Sequence, residues 1–189
     1  MGGSSHLSSS IEIKPVGWGY YNIVRGWNVN WFRRRKMVSL DKKDKEFAEA
    51  ALKQIFVKGM VIRIKSAGPD SFYLYFSLKH PSNQSQSWLH IEDPKWTVFD
   101  QAVNFHEKTI TIKENTMSID SLLNEEVVDI WLGENMPHLY VAFQSGKILS
   151  VNGSHEMYEC WQAGDGCRQG EEEWLIAAVP GNRIAYWTP

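Results

Sequence analysis

The sequence predicts an α+β fold that is mostly β, with two pseudo-repeated antiparallel three-stranded units packed as a sandwich or a partly open barrel. Three observations predict this class. Short runs of β-branched and aromatic residues alternate with polar turns over most of the chain. One stretch, at about residues 42–57, instead repeats its apolar residues with the period of an amphipathic helix. The pattern of residues 60–92 also returns in residues 127–152.

Length and composition are those of an ordinary globular chain. The 189 residues fit one domain, and an apolar fraction of 43% with a charged fraction of 22% excludes fibrous and disordered classes. No apolar run approaches the ~18 residues of a membrane span, and the first residues lack a secretory apolar region. We therefore expect a cytoplasmic protein without a membrane partner. Residues 1–10 are expected to be a disordered arm or an expression remnant, and residues 11–189 a single β-rich domain.

Residues 11–40 form an aromatic and basic extension. Residues 1–40 carry six basic groups and one acidic group, although the whole chain has a net charge of −2. The basic cluster consists of Arg33, Arg34, Arg35 and Lys36, and it follows Trp31 and Phe32. Cations beside aromatic rings are typical of single-stranded nucleic-acid binding, whereas the plainer interpretation is a solvated strand end. The slightly acidic chain carries no recognised nucleic-acid motif, so the solvated strand end is favoured.

The helix at about 42–57 has Phe47, Ala48, Ala51, Leu52, Ile55 and Phe56 on one side and charged residues on the other. Asp41 is expected to cap its start, and Gly59 is expected to end it in a left-handed conformation. The apolar side should then lie on a sheet.

Two units follow, at residues 55–96 and 122–161. Strands are predicted at 60–65, 72–78 and 88–92 in the first unit, and at 127–132, 139–143 and 148–152 in the second. Aligned without a gap, Val61 matches Val128 and Phe76 matches Phe143 at an offset of 67. Trp96 and Trp161 follow the units at nearly equivalent places. This correspondence indicates an internal duplication, because a three-stranded unit cannot bury both of its faces alone.

The remaining predicted elements are short. Residues 109–112 favour one more strand, Ser118 can cap a helical turn, and residues 174–187 form a closing hairpin. In the turn of that hairpin, Gly181 and Asn182 both tolerate the positive φ that tight turns require.

The C-terminal stretch carries a motif: Tyr158, Glu159 and Trp161 stand before a strand, then Pro180, Gly181, Ala185 and Trp187 follow in the closing hairpin. This order resembles an uncharacterised bacterial β-rich domain family whose members have a YEAW-like segment and a C-terminal PGG-x-x-A-x-W hairpin. Asn182 stands where the family has a second glycine. The resemblance implies a mostly β domain without an established activity, and some such domains look like immunity proteins that neutralise secreted toxins.

Catalytic and metal chemistry find little support in the sequence. A nucleophilic set of Cys, His and carboxylate could in principle form from His155, Glu156, Glu159 and Cys160, but strand alternation would point His155 and Cys160 in opposite directions. Cys160 and Cys167 are either core thiols or a small disulfide loop. The six histidines lack metal-ligand spacing, so we expect no metal, no cofactor and no catalytic residues.

The acidic loop between Trp161 and Trp174 is the main candidate for partner binding. We expect the contact with a partner to involve Glu159, Asp165, Glu171, Glu172 and Glu173. The function expected is that of a non-catalytic protein-binding domain, with a cognate toxin as a possible partner, because an acidic surface can cover a basic one. Two alternatives stay open: a single-stranded nucleic-acid-binding module, and a small-ligand protein or enzyme with a Trp-lined cleft.

Overall fold

The computed structural model describes residues 36–39, 41–77, 86–100, 116–166 and 174–187, all within the unit Arg33–Pro189. The fold is α+β and mostly β, as predicted, with two antiparallel sheets that form a sandwich around one core. The predicted strand at 109–112 lies outside the described residues. In chain order the strands are β1 (Lys36–Ser39), β2 (Met60–Ser66), β3 (Phe72–Ser77), β4 (Gln86–Ile91), β5 (Trp96–Asp100), β6 (Thr116–Met117), β7 (Val127–Leu132), β8 (Leu139–Phe143), β9 (Lys147–Val151), β10 (Trp161–Asp165), β11 (Leu175–Val179) and β12 (Arg183–Trp187).

The larger sheet has seven strands in the order β1-β12-β11-β10-β4-β3-β2, and the smaller has five in the order β6-β5-β9-β8-β7. The two sheets are joined at one corner. There Val127 N donates to Gly59 O at 2.9 Å, and Lys58 N donates to Val127 O at 2.8 Å. No further pairing closes the described strands into a barrel.

Helix α1 spans Lys42–Phe56 and begins as predicted, since the Asp41 side chain accepts a hydrogen bond from Asp44 N. The expectation for its end was wrong. The left-handed residue after the helix is Lys58, with φ 70°, rather than Gly59. Lys58 is held there because its backbone N–H donates to Val127 O across the corner between the sheets.

The helix also covers the edge of the smaller sheet. Glu49 Oε1 accepts a hydrogen bond from Leu132 N at 2.9 Å, and Lys53 Nζ lies 2.8 Å from Asp129 Oδ1. Leu132 and Asp129 both belong to β7, an edge strand of the smaller sheet, and the outward Ile130 N–H donates to Asp129 Oδ1. A helical side chain thus satisfies a strand N–H and blocks that edge.

Each predicted three-stranded unit is present as a meander, β2-β3-β4 in one sheet and β7-β8-β9 in the other. In the first unit Val61 pairs with Phe76, and in the second Val127 pairs with Phe143. The predicted match of Val61 with Val128 is therefore wrong by one residue. The reason is that the second hairpin has one residue more; the bulge directly after this pair, at Ile62 and at Val128, is common to both first strands.

The strands that follow the two units exchange between the sheets. Trp96 starts β5, which pairs with β9 of the second unit through Trp96 and Val151. Trp161 starts β10, which pairs with β4 of the first unit through Trp161 and Ile91. The matching of Trp96 with Trp161 is thus confirmed by the strand register. Neither strand was predicted: residues 97–100 were given no element, and residues 162–165 were assigned to a loop.

The core is continuous between the two sheets and the helix. Phe56 from the helix meets Phe76 edge to face, with ring centroids 5.0 Å apart. Trp161 is fully buried, and its indole N–H donates to Pro137 O at 2.8 Å. The large side chains buried with them include Leu52, Leu74, Leu89, Ile130, Leu139 and Phe143.

Two short elements agree with the sequence analysis. Ser118 caps a 3-10 helix, Ile119–Leu122, by accepting a hydrogen bond from Asp120 N. In the closing hairpin Gly181 and Asn182 both have positive φ, at 80° and 59°. The strand alternation assumed between His155 and Cys160 is absent: β9 ends at Val151 and the next strand begins only at Trp161.

Candidate functional site

The outer face of the seven-stranded sheet presents two adjacent rows of aromatic and polar side chains. Strand alternation places Leu74 and Leu89 on the core side and their neighbours on the outer side. Cross-strand pairing then aligns the outer residues into two rows. The first row is Arg63, Tyr75, Trp88 and Gly164, and the second row is Lys65, Tyr73, His90 and Gln162. We call this surface the aromatic face, and it consists of Arg63, Lys65, Tyr73, Tyr75, Trp88, His90 and Gln162.

The rings of the aromatic face support one another. Tyr73 stacks on His90 with centroids 3.9 Å apart and ring planes 3° from parallel. The Tyr73 ring centroid also lies 6.1 Å from that of Tyr75 and 6.4 Å from that of Trp88. The Arg63 guanidinium lies 4.0 Å above the Tyr75 ring, a cation–π contact. The rings are therefore held in place before any ligand arrives.

Gly164 explains how Trp88 fits on this face. A Cβ at position 164 would lie 2.6 Å from Trp174 O and 3.0 Å from the Trp88 ring. The residue directly across the strand pair from Trp88 must therefore be glycine if the indole is to lie there. This requirement accounts for a glycine in the middle of a sheet.

A chain of polar groups runs along the second row. His90 Nδ1 lies 3.3 Å from Glu92 Oε1, and His90 Nε2 lies 3.2 Å from Ser71 Oγ. Gln162 Nε2 donates to Glu92 at 3.1 Å and to Glu159 at 2.8 Å. Burial and the Glu92 carboxylate raise the pKa of Tyr73, so its hydroxyl stays protonated at neutral pH.

The acidic residues expected to bind a partner are partly placed by the structure. Asp165 Oδ1 accepts a hydrogen bond from Trp174 N at 2.6 Å, which ties together the two ends of the acidic loop. Glu159 accepts from Gln162 at the end of the aromatic face. The other members of that set, Glu171, Glu172 and Glu173, lie outside the described residues. Glu159 thus lies at the aromatic face, and Asp165 joins the base of the acidic loop, where the loop's two ends meet.

The basic cluster proposed for nucleic-acid binding falls mostly outside the described part of the chain. This applies to Arg33, Arg34 and Arg35. The backbone of Lys36 begins β1 at the edge of the larger sheet, where it pairs with Tyr186.

The Cys160 region is a structural cluster. Asp93 is fully buried, and its Oδ2 accepts from Asn152 Nδ2 at 3.0 Å and from Tyr158 OH at 3.2 Å. Cys160 is a free thiol 3.8 Å from the same oxygen. Burial and the Asp93 charge raise the pKa of Cys160 to about 12, so the thiol is neutral and a poor nucleophile.

His155 lies beside this cluster without joining Cys160. Its ring stacks on Tyr158 at 3.5 Å, and its Nδ1 accepts from Met157 N. The strand expected there would have put His155 and Tyr158 on opposite faces. The contact arises because residues 152–160 form an irregular connection rather than a strand.

The aromatic face was not predicted as a unit, although its signal is present in the sequence. In the run of residues 72–76, tyrosines alternate with Phe72, Leu74 and Phe76, so one side of the strand is apolar and the other aromatic but polar-tipped. Tyr75 and Trp88 are partners across the hairpin. An alternating aromatic side in paired strands predicts such a face.

The described residues lack both a metal-binding cluster and a membrane-spanning helix. They contain no group of three or more His, Cys, Asp or Glu side chains arranged to hold a metal ion. Among the same residues, no helix has the length and apolar character needed to cross a membrane.

Comparison of the chain with protein-family models, with curated proteins and with solved structures finds no match. The resemblance to a bacterial β-rich family therefore stays a prediction.

Proposed function

We propose that the chain is a protein-binding domain and that the aromatic face is its docking surface. The observation that carries the proposal is the preorganised set of Tyr73, Tyr75, Trp88 and Arg63 on one sheet face. Tyrosine, tryptophan and arginine dominate the energetic centres of protein interfaces.

The rigidity of these rings supports binding. Association loses affinity when side chains must be ordered, by about 0.5–1.5 kcal/mol for each flexible side chain. Tyr73 is already fixed by His90, and Tyr75 by the Arg63 guanidinium. These side chains therefore lose little freedom on contact with a partner.

The acidic loop beside the face indicates the kind of partner. The acidic loop starts and ends next to the Trp88 end of the face, because Gly164, beside Trp88, adjoins the loop base at Asp165 and Trp174. Three glutamates at 171–173 lie within that loop. We propose a partner with a basic surface, and a cognate toxin neutralised by this chain has that chemistry.

The test is co-expression with the product of the adjacent gene, followed by co-purification and measurement of affinity. Trp88→Ala and Tyr75→Ala should each weaken binding by about tenfold or more, since central aromatic anchors contribute about 2 kcal/mol or more. Tyr140→Ala is the matched control, because Tyr140 stacks on Trp131 in the other sheet. Equal affinity for all three variants, or a neighbour that neither binds nor is toxic, would contradict the proposal.

A second function uses the same face. Arg63 and Lys65 are exposed beside Tyr73 and Tyr75, which favours stacking and phosphate contacts with single-stranded nucleic acid. This alternative requires binding of an unstructured oligonucleotide that weakens steeply with salt and is reduced by Arg63→Gln. Absence of such binding rejects the alternative and leaves the protein partner untouched.

A further inference from the structure

At the second row of the aromatic face, the His90 imidazole lies between a serine hydroxyl and a carboxylate that stand just beyond the row. Ser71 Oγ lies 3.2 Å from His90 Nε2, and His90 Nδ1 lies 3.3 Å from Glu92 Oε1. In this arrangement one ring nitrogen faces a hydroxyl and the other faces a carboxylate. This is the relation among nucleophile, base and orienting group in serine hydrolases.

The ring of His90 is fixed in this orientation. Its side chain is 8% exposed, it stacks on Tyr73, and Glu92 is itself oriented by the Gln162 amide. With the ring proton on Nδ1, beside this carboxylate, Nε2 is free to accept the Ser71 hydroxyl proton. Ser71 is half-buried and its hydroxyl donates to Ile91 O at 2.9 Å, so the hydroxyl must turn from this carbonyl to His90 Nε2 before it attacks a substrate.

The second unit shows that the fold does not require these three residues. Counted through the strand register, Ser71, His90 and Glu92 correspond to His138, Ser150 and Asn152. There His138 Nδ1 accepts a hydrogen bond from Gly153 N instead. The same meander is therefore built with a different polar set, so the serine–histidine–glutamate set is particular to the first unit.

We propose that Ser71, His90 and Glu92 form a hydrolytic site that acts on carboxylic esters. Ser71 Oγ attacks the ester carbonyl carbon while His90 Nε2 takes the hydroxyl proton. The carbon–oxygen bond to the alcohol breaks, and the alcohol leaves with the proton from His90. Water then attacks the acyl-serine, gives a proton to His90, and releases the acid as Ser71 recovers its proton. Glu92 stabilises the imidazolium in both steps.

The experiment treats the full chain with a fluorophosphonate probe, which labels activated serines, and maps the adduct by mass spectrometry. A single adduct on Ser71 is expected, and Ser71→Ala should abolish it. His90→Gln should slow labelling by about 10²-fold or more, the usual contribution of a general base. Glu92→Gln should slow it as well, and Ser71→Ala should also remove the release of nitrophenolate from p-nitrophenyl acetate.

Ser66→Ala is the matched control, because Ser66 lies on the same hairpin and its hydroxyl donates to Gly68 O. This variant should label at the wild-type rate. His90 is buried, so Ser71→Ala and Glu92→Gln carry the test if His90→Gln fails to fold. No adduct at Ser71 in the folded wild type, or equal labelling rates for wild type and Glu92→Gln, overturns the proposal. Neither result bears on the binding of a protein partner.

Discussion

Trp96 and Trp161 make the same hydrogen bond in the two halves of the fold. Trp96 Nε1 donates to Asp70 O at 3.3 Å, and Trp161 Nε1 donates to Pro137 O at 2.8 Å. Asp70 and Pro137 occupy equivalent places in the first hairpins of their units, two residues before Phe72 and Leu139. Each indole thus fastens the strand after a unit to the first turn of that unit.

The first prediction separates the two tryptophans. Trp161 is fully buried, whereas the bond of Trp96 is exposed. Trp161→Phe should destabilise the protein by about 2–4 kcal/mol, since it leaves a cavity and an unsatisfied buried carbonyl. Trp96→Phe should cost about 1 kcal/mol or less. Urea unfolding of both variants measures the difference, and equal losses would contradict the asymmetry.

The second prediction concerns Gly164. Gly164→Ala should destabilise the fold by about 2 kcal/mol or more, because the added methyl group overlaps Trp174 O and the Trp88 ring. The near-ultraviolet circular dichroism of the tryptophans should change as well. Gly68→Ala is the control, since its Cβ would meet only Ser71 Cβ at 3.7 Å. A Gly164→Ala protein as stable as this control argues against the close approach.

The third prediction tests the covering of β7 by the helix. Glu49→Ala should lower the free energy of unfolding by about 1–2 kcal/mol, because Leu132 N loses its charged acceptor. It should also increase aggregation, since the edge strand becomes free to pair. Light scattering and urea unfolding check both effects. Glu46→Ala, at a side chain that is 65% exposed, should change neither.

The fourth prediction is a pH dependence at Glu125. Burial alone would raise the pKa of Glu125, but the Lys147 ammonium and the Ser145 hydrogen bonds outweigh it and hold the pKa below its ordinary value. A lowered pKa in the folded state means that this stabilisation is present at neutral pH and is lost as pH falls through that value. Glu125→Gln should therefore cost about 1–2 kcal/mol at pH 7 and much less near pH ~3.

Urea unfolding at several pH values measures this prediction. The contact responsible is short, with Lys147 Nζ 2.8 Å from Glu125 Oε1 and 2.7 Å from Ser121 O. Glu134→Gln is the control, because Glu134 is exposed. A Glu125→Gln effect that stays constant from neutral to acid pH contradicts the assignment.

The fifth prediction concerns thiol chemistry. In a Cys167→Ser background, iodoacetamide should alkylate Cys160 about 10²-fold more slowly in the folded protein than in denaturant, because the buried thiol stays protonated. Mass spectrometry at successive times measures both rates. Because folding raises the pKa of Cys160 to about 12, its contribution to stability is present below the pKa of an unfolded thiol and declines at higher pH. Rapid alkylation of the native chain would show that the thiol is accessible.

The sequence predicted the elements whose residues carry their own local signal. Asp41 and Ser118 were identified as caps because their side chains bond to backbone N–H groups only a few positions away. Gly181 and Asn182 were identified because their turn requires positive φ. In each case the cause and the structure lie within a few residues of each other.

The missed features depend on distant partners. Residues 162–165 include Ala163 and Gly164, which favour strands weakly, and they become a central strand only because β4 and β11 lie on both sides. The contact of His90 with Ser71 spans 19 positions, and it required the pairing of β3 with β4. Alternation within one segment carries no information on such pairs.

The exchange of β5 and β10 between the sheets has a consequence for synthesis of the chain. When the first unit leaves the ribosome, β4 has no partner on one side until β10 is made about seventy residues later. Strand β5 likewise lacks its partner on one side until β9 is made. Neither half can satisfy its own backbone, so we expect folding to be completed only after residue 165 emerges, and the open edges to be vulnerable to aggregation until then.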